Sequence, residues 1–137
     1  CQSPHPVVYH WSPAEITILR SINNRNSNIL QPYLTQIQFV DLYKIFLDKQ
    51  IVIPGALSFG LKDVATAMYE QGVISTKWDT STGGVASGIE AMFGGVALFD
   101  TNNQHHTTKD KNEILANIAK YNEIDCKVLW EIHTWLA

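Results

Sequence analysis

A long apolar stripe near the C-terminus constrains this chain most. Its residues recur at intervals of three or four: Ile114, Ile118, Tyr121, Asp125, Leu129, Ile132 and Leu136. Charged residues fall on the opposite side: Glu113, Lys120, Glu123, Lys127 and Glu131. This period is typical of an amphipathic helix. With Asp110 and Glu113 resembling a capping box, the pattern predicts a helix from about Asp110 to about Trp135.

Asp125 is the one carboxylate inside that stripe. Burying an unpaired carboxylate is costly, and no Lys or Arg lies within one turn on the same side. One interpretation is a hydrogen bond to a neighbouring loop. The other is a metal ion, with Tyr121, four residues earlier, positioning a water or a phosphate oxygen.

Strand and helix signals alternate along the rest of the chain. Residues 6–11 and 37–42 are rich in β-branched and aromatic residues and predict two short strands. Ser12, Pro13 and Glu15 predict a helix start with Ser12 as the N-cap, and that helix ends in a polar loop at 23–28. A short helix follows the second strand through Phe46 and Leu47.

With the elements that follow, the sequence predicts about five helices and two strands in total. Pro54 and Gly55 predict a turn. Ser58 is a candidate cap for a helix that Gly72 ends. Residues 80–84 predict a loop, 85–99 a helix rich in small residues, and 101–109 a polar loop.

Composition narrows the class of protein. The chain has 137 residues, of which 45% are hydrophobic, and we expect a single domain over residues 1–137. A net charge of -3 argues against affinity gained by neutralising many phosphates but leaves a nuclease open. No membrane span or signal peptide is expected. Cys1 and Cys126 suggest a reducing, intracellular compartment, and a start at Cys1 instead of Met suggests a C-terminal piece.

Four stretches together resemble one protein family. The segment 121–126 (YNEIDC), followed by Trp130 and Trp135, resembles the third motif, Tyr-x-x-x-Asp, of ribonuclease H-like DEDD 3′–5′ exonucleases. More narrowly it is similar to RecB-like nuclease domains, including members from large DNA viruses. Residues 9–15, 39–42 and 57–64 resemble further segments of that group in the same order, so that the resemblance covers most of the chain.

The resemblance implies an α/β chain that forms the C-terminal portion of a ribonuclease H-like fold, mostly helical with two or three short strands. It assigns catalytic roles to Tyr121, Asp125 and Glu15, and metal ligation to Asp125, Glu15 and Asp41. Lys62 and His10 become candidate substrate contacts. Two Mg²⁺ or Mn²⁺ ions would activate water and stabilise the leaving oxygen during hydrolysis of DNA or RNA from a 3′ end.

Two positions depart from the family pattern. No Asp-x-Glu first motif occurs in the sequence, so we expect it upstream in the intact protein and expect these residues alone to be inactive. Gly83 and Gly84 stand where the family carries an acid.

Alternatives remain for the candidate residues and for the function. Glu15 fits a capping partner of Ser12, Asp41 fits the cap of the short helix that follows it, and His10 fits a satisfied core histidine. A non-catalytic module that binds nucleic acid, or that docks a helicase or another nuclease domain through Trp130 and Trp135, is the main rival. An unrelated helical domain is a third. The compartment expected is the cytoplasm, the nucleus or a viral factory.

Overall fold

The computed structural model describes residues 5–78, 95–96 and 108–137. Its elements follow in the order β1 (Val7–His10), α1 (Ala14–Arg25), α2 (Gln31–Leu34), β2 (Gln38–Asp41), α3 (Leu42–Asp48), α4 (Leu61–Glu70) and α5 (Thr108–Leu136). The chain is an α/β protein, mostly helical with a small parallel sheet, and this part of the expected fold class is confirmed.

The chain divides into two compact units. The first comprises Cys1–Ile74 together with Leu129–Ala137, and the second comprises Ser75–Val128. Helix α5 therefore contributes residues to both units. The single domain expected from the length stays a prediction.

The two strands pair in parallel, with Val7 opposite Gln38 and His10 opposite Asp41. Both predicted strands are confirmed, but each is shorter than predicted. Asp41 ends β2 because it caps α3, which begins at the next residue. At the other end, the Pro6 carbonyl still accepts a hydrogen bond from the backbone of Gln38 at 2.9 Å.

Aromatic and aliphatic side chains form the core of the first unit. Its fully buried members include Phe46, Leu42 and Met68. The Trp11 ring lies edge-on to Phe46 at a centroid distance of 5.1 Å, and the Trp11 indole N–H donates to the Phe59 carbonyl at 2.9 Å. The core therefore holds the segment that follows β1 against α3.

Helix α1 starts and ends differently from the prediction. Pro13 is its N-cap and makes no side-chain cap, so the predicted Ser12 cap is wrong. The helix continues to Arg25, three residues into the predicted polar loop. Asn23 explains the extension, because its buried amide donates to Asn28 and Gln31 and accepts from the backbone of Leu30.

Helix α4 begins later than predicted and ends as predicted. Its N-cap is Gly60, so Ser58 is not the cap; the Ser58 hydroxyl instead accepts from the Gly60 N–H and donates to Asp63. At the other end, Gly72 has φ +71°, and the N–H groups of Gly72 and Val73 donate to Tyr69 and Met68. This pair of bonds is a Schellman motif, which confirms Gly72 as the helix stop.

Helix α5 confirms the long C-terminal helix but begins at Thr108, earlier than the predicted start at Asp110. Residues 108 and 109 carry no helix breaker, and composition alone had assigned them to a loop. The predicted loop at 80–84 and most of the predicted helix at 85–99 lie outside the described residues; Gly95 and Val96 are helical. None of the described helices has the length and apolar character needed to cross a membrane.

We predict that Phe46→Ala lowers the free energy of unfolding by about 3–5 kcal/mol, because a fully buried aromatic ring leaves a cavity. The neighbouring Leu47 is 42% exposed and is the matched control. Leu47→Ala should cost about 1 kcal/mol or less. Urea denaturation followed by circular dichroism measures both values, and equal losses would contradict this assignment of the core.

Candidate functional site

The carboxyl ends of β1 and β2 lie side by side. His10 ends β1, Asp41 ends β2, and the two residues are paired opposite each other. Helix α1 begins shortly after the first strand, and α3 begins directly after the second. In open parallel sheets, ligands bind outside the carboxyl ends of the strands, so this edge of the sheet is a candidate ligand site.

His10 is buried, with only 5% of its surface exposed. Its Nδ1 lies 2.6 Å from the carbonyl oxygen of Ser12. Because a carbonyl oxygen only accepts hydrogen bonds, Nδ1 must carry the proton. The prediction that His10 is a core histidine with its hydrogen bonds satisfied is therefore confirmed for Nδ1. No described residue forms a hydrogen bond with Nε2.

Ser12 connects the two strand ends. Its φ of +76° is rare for a residue with a side chain. Its N–H donates to Asp41 Oδ1 at 3.0 Å, while its carbonyl is held by His10. The chain thus turns out of β1 in a left-handed conformation that is fixed from both sides.

Asp41 caps α3, and the capping interpretation is confirmed. Its Oδ1 accepts from the backbone N–H of Lys44 as well as from Ser12. Within the part of the chain that the structure describes, Asp41 Oδ2 accepts no hydrogen bond.

Glu15 does not join this arrangement. It is exposed in the first turn of α1 and has no hydrogen bond or ion pair with any described residue. The predicted capping partnership with Ser12 is therefore wrong, because Ser12 lies before the N-cap with positive φ. The metal-ligand role of Glu15 stays a prediction.

A cavity of about 480 Å³ opens beside the strand ends. It is lined by His10, Pro13, Ile16, Thr17, Arg20, Phe39, Val40, Asp41, Lys44, Ile45 and Asp48. The lining comes from one face of each helix, because positions 13, 16, 17 and 20 of α1, like 41, 44, 45 and 48 of α3, follow helical spacing. The strand ends contribute the remaining residues.

The cavity carries charges of both signs. Arg20 and Lys44 supply one cation from each helix, and Asp41 and Asp48 supply two carboxylates. Neither cation has an ion-pair partner among the residues that the structure describes. Such charges are available to a ligand.

Asp125 belongs to the second unit and is half-buried. The Trp78 indole N–H donates to its Oδ1 at 2.8 Å. Trp78 lies in the irregular segment after α4, so the expected hydrogen bond to a neighbouring loop is confirmed. This bond satisfies one of the two carboxylate oxygens.

Tyr121 shares the environment of Asp125. Burial of its ring raises the pKa of the Tyr121 hydroxyl above the ordinary 10.0, and the negative charge of Asp125 raises it further. The two members of the Tyr-x-x-x-Asp pattern are therefore electrostatically coupled neighbours. Their roles in water activation and metal binding stay predictions.

The described residues hold no group of three His, Cys, Asp or Glu side chains that could bind a metal ion. Asp41 and Glu15 are in the first unit and Asp125 is in the second. The described donors thus do not fit a complete two-metal site, and Mg²⁺ or Mn²⁺ stays a prediction. Gly83 and Gly84 lie outside the described residues.

Lys62 is half-buried at the second position of α4 and does not line the cavity. Trp130 and Trp135, the residues expected to dock a partner, are 64% and 45% exposed. His133 lies between them in the sequence, and its ring is 4.0 Å from the Tyr9 ring and 5.5 Å from the Trp130 ring. No ligand contact of Lys62 or of these tryptophans follows from their surroundings.

Sequence reasoning missed Arg20, Lys44 and Asp48. A signal existed, because each of these residues lies on a helix that follows a predicted strand. Helices in that position border the ligand crevice of α/β sheets. The cavity-lining faces of α1 and α3 mix polar and apolar residues and do not form a hydrophobic stripe. Hydrophobic periodicity alone therefore does not identify these faces.

No family model matches the chain, and no curated protein or solved structure shows detectable similarity to it.

We predict that Asp125→Asn lowers the pKa of Tyr121 toward 10.0, because the substitution removes the negative charge that disfavours the phenolate. A raised folded-state pKa also means that stability falls as pH rises above about 10, and the variant should lose part of this dependence. NMR titration of ¹³C-labelled tyrosine, with Tyr121→Phe for assignment, measures the shift. Glu123→Gln, at an exposed carboxylate paired with Lys127, is the control and should leave the pKa in place.

Proposed function

We propose that this chain is a non-catalytic α/β module that binds a phosphate-bearing strand of nucleic acid in the cavity at the carboxyl ends of β1 and β2. One observation carries the proposal: Arg20 from α1 and Lys44 from α3 line the same cavity, and neither is ion-paired with a described residue. Two cations on opposite helices suit a phosphate, because both can donate to its oxygens.

The size and lining of the cavity support a nucleotide unit. Ligand sites commonly measure about 300–1,000 Å³, and this cavity falls in that range. Phe39, Ile16 and Ile45 offer apolar surface to a base or sugar, while the charged groups lie on the helices. The cavity thus combines the two kinds of surface that a nucleotide presents.

The net charge of -3 sets the expected strength of binding. A chain with more acids than bases has no broad positive field to attract a phosphate backbone. Affinity must therefore come from the two cations of the cavity. We expect modest affinity with a shallow dependence on salt concentration, in contrast to proteins that neutralise many phosphates.

We further propose that the α/β fold of this chain is ribonuclease H-like. Its support is the motif resemblance, together with an element order of strand, two helices, strand and two helices before the long C-terminal helix. In this view the module acts inside the cell beside a helicase or another nuclease domain. The exposed rings of Trp130 and Trp135 are the candidate contact with that partner.

We predict that Arg20→Gln and Lys44→Gln each weaken binding of a fluorescein-labelled single strand of about eight nucleotides by roughly tenfold. Each variant should also reduce the slope of log affinity against log salt by about 0.7. Fluorescence anisotropy at several salt concentrations measures both quantities.

Arg25→Gln and Lys49→Gln are matched controls, because Arg25 also lies on α1 and Lys49 is the C-cap of α3, both exposed and outside the cavity. Equal effects of control and test variants would show that only diffuse charge matters and would reject the cavity as the binding site.

A second function, metal-dependent 3′–5′ exonuclease activity, is favoured by one observation: Tyr121 and Asp125 lie one turn apart on α5, where the charge of Asp125 adds to the effect of burial in raising the pKa of Tyr121. The pairing fits a tyrosine that orients a water or phosphate beside an acid. Catalysis on this proposal requires the missing first motif from elsewhere in the intact protein. The described donors alone do not supply its metal site.

If the exonuclease proposal is correct, Asp125→Asn in the full-length protein reduces Mg²⁺- or Mn²⁺-dependent shortening of a 5′-labelled strand by at least about 100-fold. Glu123→Gln should retain full activity. Trp78→Phe separates the structural role of Asp125 from a catalytic one, because it removes the hydrogen bond and keeps the acid. Cleavage that survives Asp125→Asn, with equal loss of thermal stability in Asp125→Asn and Trp78→Phe, would assign Asp125 to structure alone.

A further inference from the structure

The cavity at the strand ends contains hydrogen-bond acceptors as well as cations. Asp48 presents a carboxylate, and Asp41 keeps Oδ2 without a hydrogen bond from any described residue. His10 adds a third acceptor, whose position differs from the other two because it lies on a side chain that is only 5% exposed.

The hydrogen-bonding character of His10 is fixed by its neighbour. Its Nδ1–H donates to the Ser12 carbonyl, so the neutral ring has its lone pair on Nε2. The Ser12 backbone is itself held by Asp41 Oδ1. The imidazole therefore cannot exchange the roles of its two nitrogens without breaking a short hydrogen bond at 2.6 Å.

A ligand that covers these acceptors must offer them donors, and a phosphate has none when it is fully ionised. The rest of the ligand must supply N–H or O–H groups to His10, Asp41 and Asp48. A ribose carries a 2′-hydroxyl that deoxyribose lacks, beside the phosphate that Arg20 and Lys44 would hold. The ligand that best matches both sets of groups is a ribonucleotide.

Building on the proposed function, we propose that the cavity selects RNA over DNA, and that His10 Nε2 is the residue atom that accepts a hydrogen bond from a ribose 2′-hydroxyl. His10 is then a specificity-determining residue. A site built to bind a hydroxyl rejects a ligand without it, because an acceptor that the ligand covers is then left unsatisfied. The preference resides in this one side chain and leaves phosphate binding to the two cations.

The test compares three labelled strands of identical base sequence: ribose, 2′-deoxyribose and 2′-fluororibose. The fluoro strand keeps the sugar pucker of RNA and removes the donor. Fluorescence anisotropy on the wild-type chain should give about tenfold tighter binding of the ribose strand than of either analogue. His10→Asn should lose that preference, because the asparagine amide can still donate to the Ser12 carbonyl but does not reach the position of Nε2.

Each outcome bears on a different statement. Equal binding of the three strands, with the effects of Arg20→Gln and Lys44→Gln intact, overturns the ribose inference and leaves the proposed function in place. A preference that persists in a folded His10→Asn variant overturns the role of His10. No binding of any strand overturns the proposed function and this inference with it. If circular dichroism shows that His10→Asn is unfolded, the wild-type comparison of ribose and fluoro strands decides, and equal affinity rejects the inference.

Discussion

The backbone of Ser12 is held between two side chains, and the arrangement of the strand-end cavity depends on it. His10 binds its carbonyl and Asp41 binds its N–H. Positive φ at a non-glycine residue costs of order 1–3 kcal/mol and persists only when its surroundings enforce it. The same two contacts place the imidazole in one tautomer and occupy the oxygen of Asp41 that starts α3. One turn of backbone thus determines the path out of β1, the start of a neighbouring helix and the polarity of the cavity.

Local sequence signals were sufficient for much of the fold. The two strands, the cap at Asp41, the stop at Gly72 and the long C-terminal helix all follow from patterns within a few residues. The cap at Ser12 failed for a physical reason. The Ser12 N–H donates to Asp41, which is 29 residues away in the sequence, and Ser12 has a positive φ. This long-range hydrogen bond overrides a favourable local capping pattern.

For the candidate sites too, the sequence predicts local features but not long-range contacts. His10 and Asp41 were identified from sequence and both line the cavity, whereas Arg20 and Lys44 acquire significance only when α1 and α3 are seen to flank the same opening. Asp125 was correctly expected to need a partner. The partner itself, the indole of Trp78, is 47 residues distant and carries no sequence signal. Hydrophobic periodicity in a sequence can indicate that a polar side chain faces the interior. It does not identify the distant residue that forms a hydrogen bond with that side chain.

The parallel pairing of β1 with β2 has a consequence for the order of folding. All of α1, the Asn23 hydrogen-bond network and α2 lie between the two strands, so the chain must close a long connection before the first ladder bond forms. Loop closure of this kind slows folding unless the connection is already compact. Asn23, which draws the end of α1 toward Leu30 and Gln31, shortens the effective length of that connection. A buried amide that does not line the cavity should thereby affect the rate at which the cavity is assembled.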